Sequence, residues 1–149
     1  MIEGEFDEYS DKNVTLFYQK TLPLEDKQAS TIDWIVSVVE DCGKALYCIN
    51  YILCTDEQLH KINLDHLHHD TYTDIITFDY SDKEDLLESD IYISLDRVKE
   101  NSVEHGKTFN EELHRVMIHG ILHLVGYNDK TAKEKEKMRE KENTCLSLR

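Results

Sequence analysis

The chain has 149 residues, a length that fits one domain built around one hydrophobic core. Hydrophobic residues make up 40% of it, and it has only one Pro and five Gly, so the composition is that of a globular protein rather than a disordered one. The net charge of −14, from 17 basic and 31 acidic residues, argues against non-specific binding to nucleic acid, because phosphates need Lys and Arg to replace their counterions. We therefore expect no DNA partner, and an RNA partner only through a local basic patch.

The sequence offers no membrane-targeting feature. No apolar run reaches the ~18 residues of a membrane span, and no basic-then-apolar signal peptide opens the chain. The four cysteines form no C-x-x-C pair, and Cys48 and Cys54 fall inside an apolar run. We expect a cytoplasmic protein with buried, reduced thiols and no membrane partner.

The first half of the chain predicts strands that alternate with helices. Apolar spacing and stop signals delimit the elements: Gly43 ends the first helix, a Thr55–Gln58 capping box begins the second, and a polar run over 66–70 ends it. The predicted elements are a strand at 13–19, a helix at 24–42, a buried strand at 45–54 and a helix from 55.

The second half predicts two short strands and then three helices. The strands, at 74–78 and 90–94, are separated by an acidic loop. A polar helix at 95–105 ends at Gly106, and capping boxes at Thr108 and Thr131 begin the last two helices. About four strands and five helices predict a single α+β domain over 1–149, in which helices pack on a mixed β-sheet and a metal site lies on a helix of the C-terminal half.

The run His119-Gly-Ile-Leu-His123-Leu-Val-Gly126-Tyr-Asn-Asp129 carries the strongest chemical signal. Histidines four apart share one helical face. Gly126 can break the helix and let the chain turn back, which brings Asp129 toward the imidazoles. Two His and one carboxylate are the three protein ligands of a catalytic zinc with one open position, so His119, His123 and Asp129 predict one Zn²⁺ per chain.

On a helical wheel the two histidines lie at the edge of an apolar stripe, which places the metal beside the core and open to a cleft. Glu112 falls on the same face one heptad earlier, with Arg115 close to it. His114 points elsewhere and is predicted to lie on the surface. The stripe consists of Leu113, Val116, Met117, Ile121 and Leu124.

The motif differs from that of zinc peptidases at one position. H-E-x-x-H places a Glu general base after the first His, and here that residue is Gly120. The absent carboxylate argues against ordinary peptide hydrolysis, whereas a metal can still act as a Lewis acid on a phosphoryl oxygen.

The run HGILHLVGYND resembles the HGxLHLxGYDH signature of the YbeY-type endoribonucleases, which act in ribosomal RNA maturation. Asn63 and residues 73–78 are similar to the family's LN…TDVLSF segment, and residues 89–91 to its GDI, so the likeness covers roughly residues 60–130. The matching positions in the signature are His119, Gly120, Leu122, His123, Leu124, Gly126 and Tyr127.

Three departures from the family pattern matter for the site. The third family histidine aligns with Asp129, whose carboxylate oxygen also binds zinc. A family arginine that helps to handle RNA falls at Leu67, next to His68 and His69, and neutral imidazole is a poor replacement for guanidinium. Ser89 stands where the family has Gly.

The resemblance implies a zinc-dependent endoribonuclease in ribosomal RNA processing and ribosome quality control. Its implied partners are ribosomal RNA or a ribosomal subunit, and a ribosomal protein or assembly GTPase. Arg115 is the candidate for stabilising phosphate charge. Two alternatives stay open: a metal-dependent hydrolase of another substrate such as a peptide, and a non-catalytic ribosome-assembly factor with structural zinc, which Leu67 favours.

Several other polar residues have two interpretations. The histidines of the second helix are either a solvated helix end or part of the cleft. Asp74 either hydrogen-bonds backbone near the site or begins a strand, and Arg97 and Lys99 either bind phosphate or lie on solvated faces. The four histidines are His60, His66, His68 and His69.

Overall fold

The computed structural model of the chain describes residues 5–19 and 28–149. Its elements follow one another in the order β1 (Asp7–Asp11), β2 (Val14–Tyr18), α1 (Gln28–Asp41), β3 (Ala45–Cys54), α2 (Asp56–Leu67), β4 (Ile75–Asp79), β5 (Leu86–Ser94), α3 (Leu95–Glu104), α4 (Phe109–Leu124) and α5 (Ala132–Leu146). The predicted α+β class is confirmed. Residues 24–27 of the predicted first helix lie outside the described residues.

The five strands form one mixed sheet in the order β1-β2-β3-β5-β4. The central pairs β2–β3 and β3–β5 are parallel, and the edge pairs β1–β2 and β4–β5 are antiparallel. Parallel pairing places the carboxyl ends of β3 and β5 on the same edge, from which α2 and α3 start.

The prediction of about four strands was one strand short, and it began β5 four residues late. The missed strand β1, DEYSD, is polar, and the turn that joins it to β2 is a two-residue one. Lys12 and Asn13 in that turn have φ of 47° and 67°, the left-handed pair typical of a type I′ hairpin. The segment 86–89, predicted as loop, pairs with β3 and buries Leu87.

The two faces of the sheet are covered differently. One face, with Ile49, Tyr51 and Ile91, packs under α1 and α4 in the main core. The Tyr51 hydroxyl donates to the Met117 carbonyl oxygen at 3.0 Å in this core, which fixes α4 to the sheet. The other face packs against α2 through a smaller cluster: Cys54, Leu59, Ile62, Ile76 and Tyr92.

The helix boundaries follow local signals. All three predicted capping boxes are present, with reciprocal hydrogen bonds at Thr55–Gln58, Thr108–Glu111 and Thr131–Glu134. Gly106, at φ 65°, follows the end of α3 as predicted.

Two further expectations concern the cysteines, predicted to be buried and reduced, and the absence of a membrane span. All four cysteines are free, Cys54 and Cys145 are buried, and Cys42 and Cys48 are only partly buried. Among the described residues, no helix combines the length and the apolar character that crossing a bilayer requires.

Candidate metal centre

Helix α4 carries two histidines whose side chains face each other. The Nε2 atoms of His119 and His123 lie 3.0 Å apart, with the ring planes nearly perpendicular. Four residues make about one helical turn, so the spacing in sequence directly produces this contact.

The chain turns back after α4 and brings in a carboxylate. Gly126 adopts φ 112°, which a residue with a Cβ rarely does, and the Tyr127 amide donates to the Leu122 carbonyl oxygen at 2.9 Å. Asp129 Oδ2 consequently lies 3.3 Å from the Nε2 atoms of both His119 and His123.

Three potential ligand atoms therefore converge, one from each of His119, His123 and Asp129. They form the single such group of His, Cys, Asp or Glu within residues 5–19 and 28–149. Their side chains are 22%, 32% and 40% exposed, so one side of the group is open to solvent. The structure brings together the three residues that the sequence predicted as metal ligands, and this arrangement could hold a metal ion with an open coordination position.

A buried carboxylate that the sequence did not single out lies behind His119. Glu142 of α5 is 5% exposed, and its Oε2 lies 2.6 Å from His119 Nδ1. The spacing of buried Met138, Glu142 and Cys145, at i, i+4 and i+7, marks the inward face of α5 and was the available signal. It was hidden among the charged residues of this helix.

The electrostatics of this pair follow from burial and contact. Burial alone would lower the pKa of His119, but the hydrogen bond and charge of Glu142, with the charges of Asp129 and Asp74, raise it above its ordinary value. Burial pushes the pKa of Glu142 upward, and the hydrogen bonds from His119 and Arg115 outweigh it, so the pKa is lowered.

Arg115 contacts this carboxylate rather than the open side of the group. Its Nη1 donates to Glu142 Oε1 at 2.8 Å and its Nη2 to Asn143 Oδ1 at 2.6 Å. The role of Arg115 as a phosphate contact stays a prediction, and the observed contacts give its guanidinium a structural partner.

The prediction that His114 is a surface residue was wrong. Its ring is 8% exposed, lies edge-on to Trp34 at 5.9 Å between ring centres, and places Nε2 3.4 Å from Thr31 Oγ1. A helical wheel of α4 alone cannot show that α1 covers this face.

The four histidines within and just after α2 do not assemble as metal ligands among the described residues. His60 Nε2 contacts Asp70 Oδ1 at 2.8 Å and its ring stacks on Tyr72 at 4.2 Å. His66 lies edge-on to Phe78, His68 is the left-handed C-cap at φ 56°, and His69 is exposed.

Asp74, Arg97 and Ser89 have contacts within the protein, whereas Lys99 lies on a solvated face. Asp74 precedes β4, and its carbonyl oxygen accepts from the Ser94 amide at 2.9 Å; burial is the main cause that raises the pKa of its carboxyl. Arg97 pairs with Asp56 at 2.9 Å, Lys99 is exposed, and Ser89 is buried and donates to the Phe78 carbonyl oxygen at 2.6 Å.

Gly120 lies where α4 crosses the sheet. A Cβ at this position would come within 3.0 Å of Ile75 Cδ1 and 3.3 Å of Ile91 Cγ2. The peptidase general-base position is thus occupied by a close helix–sheet contact, and no carboxylate fits there without displacing these side chains.

Comparison with known proteins relates this site to one family. The family model described as Endoribonuclease YbeY matches residues 16–148. The chain belongs to the YbeY family. The resemblance predicted from the HGILHLVGYND run is therefore confirmed.

Several YbeY relatives match over most of their length. Endoribonuclease YbeY of Cytophaga hutchinsonii is 47% identical over 93% of this chain and 98% of its own. That of Christiangramia forsetii is 43% identical over 99% and 96%. A Thermotoga maritima protein solved in solution has a similar fold, with a TM-score of 0.60, 30% identity and 83% coverage of each chain.

Proposed function

We propose that this chain is a zinc-dependent endoribonuclease that acts in the cytoplasm on ribosomal RNA during maturation and ribosome quality control. Membership of the YbeY family supports endonucleolytic cleavage of RNA. The observation that carries the metal dependence is the convergence of His119, His123 and Asp129 to within 3.0–3.3 Å of one another.

The donor set and its spacing fit zinc. Tetrahedral ligands ~2.0–2.1 Å from a zinc ion lie about 3.3 Å from one another, close to the separations in this group. Imidazole nitrogen and carboxylate oxygen are both zinc donors, so Asp129 can serve where the family pattern has a third histidine. When bound, zinc supplies Lewis-acid polarisation of a phosphoryl oxygen.

Residues of α4 and of the loop after it would bind the metal ion and fix its position. His119 and His123 present Nε2 atoms from consecutive turns of α4, and Asp129 adds one negative charge from the following loop. Gly120 excludes a peptidase-type base, which favours phosphodiester over peptide substrates. In this proposal, the RNA substrate is part of a ribosomal subunit, and a ribosomal protein or an assembly GTPase brings it to the enzyme.

Cleavage of precursor ribosomal RNA by purified protein tests this function. Wild type should carry about one zinc per chain and cleave RNA; EDTA should abolish cleavage, and added zinc should restore it. His123→Ala should lose both metal and cleavage, whereas Glu136→Ala, an exposed change on α5, should retain both. Cleavage that persists in EDTA and in His123→Ala would disprove the proposal.

Asp129 gives the same experiment a second arm. Asp129→His should retain zinc, because imidazole is also a zinc ligand, and Asp129→Ala should bind it much more weakly. Equal zinc affinity in Asp129→Ala and wild type would remove Asp129 from the ligand set.

A second candidate function is that of a non-catalytic assembly factor with structural zinc. Leu67, the last residue of α2 and 39% exposed, stands at the position of the family arginine, which favours this candidate. Co-sedimentation of His123→Ala with ribosomes, in the absence of any cleavage by wild type, would support it.

A further inference from the structure

The carboxylate of Glu142 is buried at the junction of α4 and α5. It is 5% exposed and lies on the inward face of α5 between buried Met138 and Cys145. The Trp34 indole donates to the Cys145 carbonyl oxygen at 2.8 Å, which anchors this part of α5 to α1. A buried carboxylate is costly unless it is paired, so its partners determine what it does.

Both carboxylate oxygens of Glu142 have partners. Oε2 faces His119 Nδ1 at 2.6 Å, and Oε1 accepts from Arg115 Nη1 at 2.8 Å. An ionised carboxylate only accepts hydrogen bonds, so His119 Nδ1 carries the proton and donates it. The Nε2 lone pair of the same ring then faces His123 Nε2 and Asp129 Oδ2.

Arg115 is itself held in place. Its second terminal nitrogen donates to Asn143 Oδ1 at 2.6 Å, so one guanidinium bridges adjacent side chains of α5. The result is a chain of contacts, Asn143–Arg115–Glu142–His119, that runs from the surface of α5 to the open group of ligand atoms.

We propose that Glu142 is a positioning residue of the metal centre, which fixes the orientation and tautomer of His119, and that Arg115 fixes Glu142 in turn. This inference rests on the metal dependence of the proposed function. Hydrogen bonding to the far nitrogen of a ligating histidine limits ring rotation and makes the ligating nitrogen more basic, and removing such a partner typically costs 10–100-fold in metal affinity.

The assignment reverses the effect expected for Arg115. If Arg115 contacts phosphate, replacing it should lower cleavage and leave metal affinity unchanged. If Arg115 holds Glu142 in place, replacing Arg115 should weaken metal binding, because Glu142 then loses one of its two partners. Zinc affinity of an Arg115 variant therefore separates the two roles without an RNA substrate.

The test measures the zinc dissociation constant by competition with a chromophoric chelator. Glu142→Gln keeps the side-chain size and removes the charge, and we expect zinc binding to weaken about 10–100-fold. Arg115→Gln should weaken it by a smaller factor. Glu136→Gln, the same change at an exposed position on α5, should bind like wild type. Wild-type affinity in a folded Glu142→Gln protein would overturn the inference.

Two further measurements separate positioning from a purely structural role. Thermal unfolding of the metal-free proteins reports folding alone, and a Glu142→Gln variant that loses stability but not zinc affinity would assign Glu142 to packing. If that variant does not fold, ¹⁵N NMR of histidine in wild-type protein with zinc decides: Nδ1 of His119 should carry the proton and Nε2 the zinc. The opposite arrangement would overturn the proposal.

The zinc-affinity and cleavage measurements distinguish failure of this inference from failure of the proposed function. Wild type that binds zinc but cleaves no RNA, with weakened zinc binding in Glu142→Gln, would end the nuclease proposal and leave the positioning role intact. Chelator-sensitive cleavage with unchanged zinc affinity in Glu142→Gln would do the reverse. A wild-type protein that binds no zinc would overturn both.

Discussion

The ring of His114 is enclosed between α1 and α4, and its Nδ1 has no hydrogen-bond partner among the described residues. Burial, with a smaller contribution from the charge of Arg149, lowers the pKa of His114 from 6.5 to about 4. The ring is therefore neutral in the folded protein at neutral pH, and its protonation favours the unfolded chain.

This burial predicts a loss of stability in mild acid. Because the folded pKa is depressed, the unfolded chain binds the proton first, and stability falls as the pH drops from 6.5 toward 4. At about 1.4 kcal/mol per pKa unit, His114 should remove about 2–3 kcal/mol by pH 4. Urea unfolding of metal-free wild type and His114→Phe across this range measures the difference.

His114→Phe keeps an aromatic ring against Trp34 and has no titrating group, so its stability should fall less between pH 6.5 and 4. His69→Gln, at an exposed histidine, should follow wild type. Parallel pH profiles for wild type and His114→Phe would contradict the prediction.

The three predicted ligands were visible in sequence because they lie within eleven residues and their spacing matches a helical turn and a glycine turn. The role of Glu142 and the burial of His114 could not be predicted from the sequence, because both depend on which helix covers which face of α4. Local periodicity describes one helix at a time and carries no information on its neighbours.

At the scale of elements, the helices were predicted better than the strands. A capping box contains both hydrogen-bonding partners within four residues, so the starts of α2, α4 and α5 can be read locally. Strand β1 has no apolar alternation and forms because β2 offers a free edge, and the start of β5 depends on pairing with β3. The pairing of β5 with β3 joins residues far apart in sequence, so no short stretch of sequence reveals it. The β1–β2 hairpin is local, but its first strand is polar and its turn, Lys12–Asn13, contains no glycine.

The contact of α4 with the sheet predicts the effect of Gly120→Ala. The added Cβ would meet Ile75 Cδ1 at 3.0 Å, and overpacking of this kind costs roughly 1–3 kcal/mol, while the gain in helix propensity returns about 1 kcal/mol. We expect a net loss of about 1 kcal/mol in the free energy of unfolding, measured by chemical denaturation.

A double-mutant cycle identifies the cause. Ile75→Val removes the Cδ1 atom, so the double variant with Gly120→Ala should be more stable than the sum of the two single changes implies. Strict additivity would mean that the loss does not arise at this contact.

At the scale of the whole molecule, the acidic balance limits how RNA is bound. Of the 17 basic residues, Lys12, Arg97 and Arg115 pair with carboxylates of the protein itself. Because acidic residues outnumber basic ones, 31 to 17, we expect RNA to contact only a small basic patch and few phosphates to be neutralised at once. Each neutralised phosphate contributes about −0.7 on single strands and about −0.9 on duplex DNA to the slope of log affinity against log salt.

We therefore expect a shallow salt slope, on the order of −2 to −4. Fluorescence anisotropy of a labelled precursor ribosomal RNA fragment with His123→Ala protein, in which cleavage is blocked, gives this slope between about 50 and 200 mM salt. A slope several units steeper would contradict the prediction and indicate that RNA contacts a larger basic surface than one small patch.

The close contact at Gly120 also limits how this site could change in evolution. A glutamate at this position, as in metallopeptidases, would bring its Cβ against Ile75 and Ile91, side chains that come from two different strands. Acquiring that base would therefore cost core packing before a new reaction could offer any advantage. The packing of α4 on the sheet thus opposes a change of this site to peptidase chemistry.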